Sequence, residues 1–102
     1  MDNLYILSAG EPAPAPDPHA WALWMGAHLD ERRVAQAFVG EVEVSTIFLG
    51  IDMAWGWGAP TLWETALFSG PDGCTILARY TSLEQAEEGH AAIVRMLEHA
   101  TP

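Results

Sequence analysis

The sequence predicts an α+β fold in which an antiparallel sheet of about four to five strands has two helices packed on one face. Three observations support this prediction. The segment 41–49 begins with alternating apolar and polar side chains, which is typical of a strand with one buried face. Two apolar runs, 62–69 and 74–80, flank a Gly-Pro-Asp-Gly turn and predict a hairpin. Segments with helical periodicity lie at 17–30 and 83–97, before and after the strands.

The N-terminal segment predicts an edge strand followed by a proline-rich connector. Residues 4–7 form a short apolar run, and residues 11–18 read EPAPAPDP. Because proline has no N–H and a fixed φ, this stretch is excluded from the interior of a sheet or a helix. We interpret it as a stiff polyproline-type spacer within a single domain that spans residues 1–102, with a PxxP-type ligand as the alternative.

The first helix is expected to begin at Asp17-Pro18 and to end near Asp30. Aspartate can cap the free N–H groups of the first turn, and proline is favoured at the first helical position. The buried stripe of this helix is expected to consist of Trp21, Trp24, Met25 and His28.

Two strands are predicted at 34–39 and 41–49, joined by a tight turn at Gly40-Glu41. The period of two places every second side chain of the second strand on the same face. The buried face of that strand is expected to consist of Val42, Val44, Thr46 and Phe48.

The register of the hairpin that follows can be predicted from charge. If Ser69 is placed opposite Cys74, then Glu64 lies opposite Arg79, which is a favourable cross-strand pair. We take this register as the prediction. At the start of the second hairpin strand, Cys74 is expected to be a buried structural thiol.

The last helix is expected to begin at Thr81-Ser82, where either hydroxyl can form a capping box with the glutamate or glutamine that follows. Its buried stripe is predicted to consist of Leu83, Ala86, His90, Ile93, Val94 and Leu97. The rest of the cylinder carries four carboxylates, which are Glu84, Glu87, Glu88 and Glu98.

The charge of the chain excludes several functions. It has 14 carboxylates, four arginines and no lysine, so its formal net charge is −10 over 102 residues. Direct nucleic-acid binding is not expected, because neutralising phosphates requires a basic surface. Without lysine, neither a Schiff base nor a Walker A loop can form. The expected partner is therefore a basic protein.

The sequence also predicts a cytoplasmic protein without a membrane partner. The single Cys74 cannot form an internal disulfide, which fits a reducing compartment. The N-terminus, Met1-Asp2-Asn3, is acidic where a signal peptide would be basic. No apolar run approaches the ~20 residues that a membrane-spanning helix needs.

No catalytic signature is present, and we expect a protein that is not an enzyme and has no cofactor or metal. Glu87 and His90 have the E-x-x-H spacing, which places both on one face of a helix. Di-metal carboxylate bundles need two such motifs, and the sequence has one. We expect His90 to lie at the edge of the core with its ring nitrogens hydrogen-bonded.

The loop 50–60 contains Trp55 and Trp57 among glycines, and two interpretations are open. In the first, both rings fold back as a lid over the sheet. In the second, at least one ring is an exposed anchor for a partner or for a second copy of the chain, since tryptophan is favoured at interaction hot spots.

The acidic side chains also have two interpretations. Glu84, Glu87 and Glu88 lie near one another on the last helix, and Glu41 and Glu43 project from a strand. In the first interpretation these side chains are an ordinary solvated surface. In the second, rows of carboxylates stand in for a phosphate backbone and occupy a nucleic-acid-binding groove on another protein.

Four stretches read VSTIFLGID (44–52), LWETALFSG (62–70), RYTS (79–82) and QAEEGH (85–90). Over roughly residues 42–94 they resemble a family of small, largely uncharacterised proteins encoded by tailed bacteriophages and prophages. Such sequences often carry histidine after the aspartate of the first stretch, where this chain has Met53. The resemblance implies a phage or prophage setting, with the protein in the cytoplasm of the host bacterium. Small acidic proteins of that setting often look like inhibitors of host defence, including anti-CRISPR proteins.

The sequence therefore leads to one main hypothesis and two alternatives. The main hypothesis is a non-enzymatic phage-type inhibitor that binds a basic, nucleic-acid-handling host protein, most concretely a CRISPR effector complex. The first alternative is a phage structural or assembly accessory protein that forms a homodimer through Trp55 and Trp57. The second is a small metal-dependent enzyme that uses Glu87 and His90.

Overall fold

The computed structural model describes residues 3–100, which form a four-stranded antiparallel sheet, a two-stranded sheet and three helices. The α+β class and the antiparallel sheet are therefore as predicted. The elements in chain order are β1 (Tyr5–Ser8), β2 (Glu11–Pro14), α1 (Pro18–Ala27), α2 (Leu29–Arg32), β3 (Arg33–Val39), β4 (Val42–Phe48), β5 (Trp63–Ser69), β6 (Gly73–Tyr80) and α3 (Leu83–Ala100).

β1 and β2 form an antiparallel hairpin, so the first half of the predicted connector is a strand. Tyr5 pairs with Pro14, and Ala9 and Gly10 form the turn with φ angles of 52° and 83°. Prolines fit this strand because a two-stranded sheet leaves the outer N–H positions without a ladder partner. The connector predicted over 11–18 is thus reduced to the few residues between β2 and α1.

The hairpin is attached to the loop after β4 and does not join the four-stranded sheet. Leu4 forms an isolated bridge with Ile51, and the Tyr5 N–H donates to the Gly50 carbonyl at 2.8 Å. Gly50 has a φ of 73°, and a Cβ there would lie 2.7 Å from the sulfur of Met25. Only glycine therefore fits where the hairpin, the loop and α1 meet.

α1 begins as predicted, because the Ala20 N–H donates to the carboxylate of the N-cap residue Asp17 at 2.7 Å. It ends at Ala27, and the short α2 completes the segment that was predicted as one helix. The ring of Trp24 meets Phe48 edge-on at a centroid distance of 6.1 Å. α1 lies against β1, whereas α3 contacts all four strands of the larger sheet.

The four-stranded sheet has the order β3-β4-β5-β6. Val44 and Thr46 are fully buried and Phe48 is nearly so, which confirms three residues of the predicted buried face of β4, whereas Val42 is half-buried. On the opposite face large apolar side chains remain accessible, since Phe38 is 67% exposed and Phe68 is 39% exposed. The core therefore lies on the α3 side of the sheet.

The β5–β6 hairpin has the predicted ion pair and a different register at its turn. The Arg79 Nε donates to the Glu64 carboxylate at 3.0 Å, which confirms that pair. Ser69 pairs with Gly73 and not with the next residue, because the turn has three residues. A β-bulge leaves Leu77 unpaired and restores the register that the ion pair requires.

Cys74 is exposed, so the prediction of a buried thiol is wrong. The changed register places it opposite Phe68, on the sheet face that points away from α3. Nothing in residues 3–100 packs over that part of the face, so the thiol remains accessible to solvent.

α3 begins with the predicted capping arrangement. The Ser82 hydroxyl accepts from the Gln85 N–H at 3.1 Å, and the Gln85 side chain accepts from the Thr81 N–H at 3.1 Å. Ala86 is fully buried against the sheet, whereas Leu83 is 43% exposed despite its place in the predicted stripe. The main core cluster consists of Phe48, Leu62, Trp63 and Ala86.

Candidate functional site

The two ends of the four-stranded sheet present different features. At the first, which we call the loop end, β4 and β6 end, β5 begins, and both the loop 49–62 and α3 leave the sheet. The second, which we call the turn end, carries the turns at 40–41 and 70–72. The loop end therefore gathers the tryptophan loop, the first turns of α3 and the N-terminal hairpin.

The predicted glutamates are divided between these two ends. Glu84, Glu87 and Glu88 are exposed in the first turns of α3, and within residues 3–100 none of them forms an ion pair. Glu41 lies in a turn at the turn end, and Glu43 projects from the sheet face away from α3. The Glu43 carboxylate also accepts a hydrogen bond from a glutamine of β3 at 2.6 Å. The five side chains do not form one surface.

A cleft of about 260 Å³ opens at the loop end between the N-terminal hairpin, the start of β3 and the first turns of α3. Two carboxylates from different elements line it, Glu31 of α2 and Glu87 of α3. Arg33 also lines the cleft, and its guanidinium lies 3.8 Å from the carboxylate of Asp30. The remaining lining is mostly apolar and consists of Leu7, Gly10, Val34, Phe48, Trp63 and Leu83.

The sequence did not indicate Glu31 as a site residue. It follows the first helix in a charged stretch that has no motif of its own. Its position beside Glu87 arises from tertiary packing, because α2 leads into β3 while α3 crosses the whole sheet. The exposure of Leu83 has the same origin, since this side chain lines the cleft at the edge of the core.

The tryptophan loop holds both of its rings in solvent. Trp55 is 71% exposed and Trp57 is 85% exposed, so the lid interpretation is wrong. Asp52 organises the loop, because its buried carboxylate accepts from the backbone N–H groups of Thr61 at 2.9 Å and Ala54 at 2.8 Å. These hydrogen bonds hold the pKa of Asp52 below its usual value. Trp55 has a φ of 55°, a rare conformation for a bulky residue.

The side chain of His90 is buried between α3 and the sheet, at the end of a chain of polar side chains. Its Nδ1 lies 2.7 Å from the Thr46 hydroxyl, which lies 2.5 Å from the hydroxyl of Thr65. The Thr65 hydroxyl is 2.9 Å from that of Tyr80, so the chain crosses three strands. The prediction of a hydrogen-bonded histidine at the core is confirmed for Nδ1, and burial lowers the pKa of the imidazole.

The E-x-x-H pair is divided between two environments. Glu87 is exposed at the cleft, whereas His90 is buried and faces the sheet. Within residues 3–100, no group of three or more histidine, cysteine, aspartate or glutamate side chains is arranged to hold a metal ion. In the described part of the chain, the structure therefore adds no third metal ligand to Glu87 and His90.

Comparisons with protein-family models, with curated proteins and with solved structures each find no match to this chain. The resemblance to tailed-phage proteins therefore remains a prediction from the sequence. In the part of the chain that the structure describes, no helix is long and apolar enough to cross a membrane.

Proposed function

We propose that this chain is a non-enzymatic inhibitor that binds a basic, nucleic-acid-handling host protein through the acidic cleft at the loop end. The observation that carries the proposal is that two carboxylates, Glu31 and Glu87, line the same mostly apolar cleft. The exposed Glu84 and Glu88 add negative charge on the adjoining surface of α3. Carboxylates without ion-pair partners attract a cationic surface over distances of about 10 Å at moderate salt.

The cleft suits an arginine or lysine side chain of the partner. The long apolar stem of such a side chain can pack on Phe48, Trp63 and Leu83, which line the cleft. Its charged group would then lie between Glu31 and Glu87 and could pair with two carboxylates at once.

Trp55 and Trp57 would act as apolar anchors beside this acidic site. The tryptophan loop leaves the sheet at the same end as α3, and both rings are largely exposed. Binding energy at protein interfaces is concentrated in a few side chains, among which tryptophan is enriched. Glu41 and Glu43 lie at the turn end, so the mimicry of a phosphate backbone rests on the α3 glutamates and the cleft.

The proposed target class is a host nucleic-acid-targeting defence complex, most concretely a CRISPR effector. Two observations support this class. The net charge of −10 fits a partner with a basic nucleic-acid channel. The resemblance of residues 42–94 to tailed-phage proteins implies a phage setting, in which such a complex is the host defence that an inhibitor would block.

The test compares two triple variants with the same change in charge. In the first, Glu84, Glu87 and Glu88 become lysine. In the control, Glu41, Glu43 and Glu98 become lysine. Binding to a panel of purified, guide-loaded CRISPR effector complexes is measured over a series of sodium chloride concentrations, with competition by target DNA.

The first variant is expected to lose at least about a hundredfold in affinity, while the control loses much less because its charges lie elsewhere. Wild-type binding is expected to weaken steeply with salt. Equal losses in both variants would show that only net charge matters, and unchanged binding of the first variant would exclude the α3 surface.

The runner-up is a phage assembly accessory that dimerises through the tryptophan loop, which the exposure of Trp55 and Trp57 favours. Sedimentation of a Trp57→Ala variant tests it, because a stable wild-type dimer that is lost in this variant would favour the assembly role over the inhibitor role. The metal-enzyme hypothesis is tested by elemental analysis of the purified protein.

A further inference from the structure

The edge strand β6 has few of the features that prevent sheets from joining. It is eight residues long, has only one neighbouring strand, and contains neither proline nor lysine. Four consecutive residues, Cys74 to Leu77, are exposed. Soluble proteins usually protect an edge with short strands, proline, inward-pointing charge or a β-bulge, because unpaired N–H and C=O groups template the addition of another strand. The bulge at Leu77 leaves Gly73–Ile76 as the regular segment.

The charge pattern of β6 indicates what can bind there. The chain has 14 carboxylates, yet Gly73–Tyr80 contains none of them and carries a single cation, Arg79. A basic partner would be attracted to the acidic loop end and not to this strand. Two copies of an acidic protein, in contrast, repel each other unless they meet along a surface that is free of carboxylates.

We propose that two copies of this chain form a symmetric dimer by antiparallel pairing of their β6 strands around Thr75. Antiparallel pairing of identical strands is self-complementary, as a two-fold axis requires. With Thr75 on the axis, Cys74 of one copy lies opposite Ile76 of the other. Gly73 lies opposite Leu77 of the other copy, so the paired segment ends at the bulge in each copy and contains no carboxylate.

The dimer also extends the apolar face of the sheet. Phe68 lies opposite Cys74, and Ile76, which is 48% exposed, projects from the same face. Pairing of β6 joins the two sheets into one of eight strands, which extends the apolar rows of Phe68, Cys74 and Ile76 across the seam. Because the axis is perpendicular to the sheet, α3 lies on the same side in both copies.

The proposal is tested by sedimentation equilibrium on the full chain over a wide range of concentration, with three variants. Ile76→Lys places a charge at the seam twice per dimer and is expected to raise the dimer dissociation constant at least about tenfold. Met96→Lys, on an α3 side chain that is 69% exposed, is the matched control and should leave it unchanged. Trp57→Ala distinguishes this dimer from one formed by the tryptophan loop.

Cross-linking of the wild-type chain supplies a second readout, which does not require any variant to fold. In the proposed register the two Cys74 Cα atoms are about 8 Å apart, from a rise of about 3.4 Å per residue and a strand spacing of about 4.8 Å. A short bismaleimide should therefore link two wild-type chains through their single cysteine, and hydrogen exchange of residues 73–80 should slow as concentration rises. A monomer at every concentration, a dimer that Ile76→Lys does not weaken, or one that Trp57→Ala abolishes would each overturn the proposal.

Discussion

His90 links α3 to the sheet through a buried chain of hydrogen bonds that begins at Thr46. Its place on the buried stripe follows from helical spacing, and the structure buries it at 7% exposure. The hydrogen-bonded chain beyond Thr46 could not be predicted, because Thr65 and Tyr80 belong to strands whose alignment with β4 is set by the whole sheet. A buried polar chain of this kind stabilises the packing of α3 on the sheet only while each member keeps its hydrogen bond.

The stability of the fold is expected to decrease as pH falls because of His90. Burial lowers the pKa of this imidazole in the folded state below the ordinary value of about 6.5, so the unfolded chain binds the proton more readily. The contribution is fully present above about pH 6.5 and is lost as pH falls through the lowered folded-state pKa.

Thermal unfolding measured from neutral to mildly acidic pH checks this expectation. His90→Gln, which keeps a hydrogen-bonding side chain next to Thr46, should reduce the slope of stability against pH in that window. His99→Gln, at an exposed position of α3, is the matched control and should leave the slope unchanged. A slope that is the same in wild type and His90→Gln would contradict the assignment.

At the scale of elements, periodicity predicted every strand of the larger sheet and both long helices. The failures have physical causes in contacts between elements. Glu11–Pro14 is a strand because β1 offers it a partner, although its prolines read as a connector. The turn register differs by one residue because a bulge at Leu77 reconciles a three-residue turn with the Glu64–Arg79 pair. Neither the bulge nor the cleft at Glu31 has a local sequence signal.

The packing of α3 on β6 leads to a prediction that opposes helix propensity. Gly89 lies inside α3, and a Cβ added there would collide with the ring of Tyr80. Alanine is the better helix former by about 1 kcal/mol, yet Gly89→Ala should lower the free energy of unfolding by about 1–3 kcal/mol because the overpacked ring must move.

Gly26→Ala in α1 is the matched control. A Cβ added at Gly26 meets no atom within 4 Å, so this change should raise the free energy of unfolding by a few tenths to about 1 kcal/mol. Urea unfolding of both variants decides the question. If both substitutions stabilise the protein, the close approach of α3 to Tyr80 is not a constraint on the fold.

At the scale of the whole molecule, charge and apolar surface are distributed separately. Glu84, Glu87, Glu88 and the exposed tryptophans lie at the loop end, whereas the exposed apolar side chains Phe38 and Phe68 lie on the sheet face away from α3. Both edge strands of the larger sheet, β3 and β6, carry no carboxylate, and four consecutive residues of β6 are exposed. One acidic chain can therefore attract a basic partner at one surface and pair with its own copy at another.

The same charge distribution makes the fold sensitive to ionic strength. The net charge is −10. Within residues 3–100 the arginines form two ion pairs with carboxylates, Arg33–Asp30 at 3.8 Å and Arg79–Glu64 at 3.0 Å. Both involve exposed arginines, and such pairs contribute only about 0–1 kcal/mol each. Repulsion among the remaining carboxylates should therefore dominate, and sodium chloride should raise the melting temperature by screening it.

The rise should be steepest between about 0.01 M and 0.15 M salt, where the screening length falls from about 30 Å to about 8 Å. Scanning calorimetry of the wild type and of a Glu88→Gln, Glu98→Gln variant checks this, because removing two like charges outside the first turn of α3 should raise the melting temperature at low salt and flatten its dependence on salt. Chloride is preferred to sulfate, since sulfate strengthens apolar burial independently of charge. A melting temperature that falls with sodium chloride would mean that the two ion pairs stabilise the fold more than repulsion among the other carboxylates destabilises it. The carboxylates would then not form a strongly negative surface for a cationic partner.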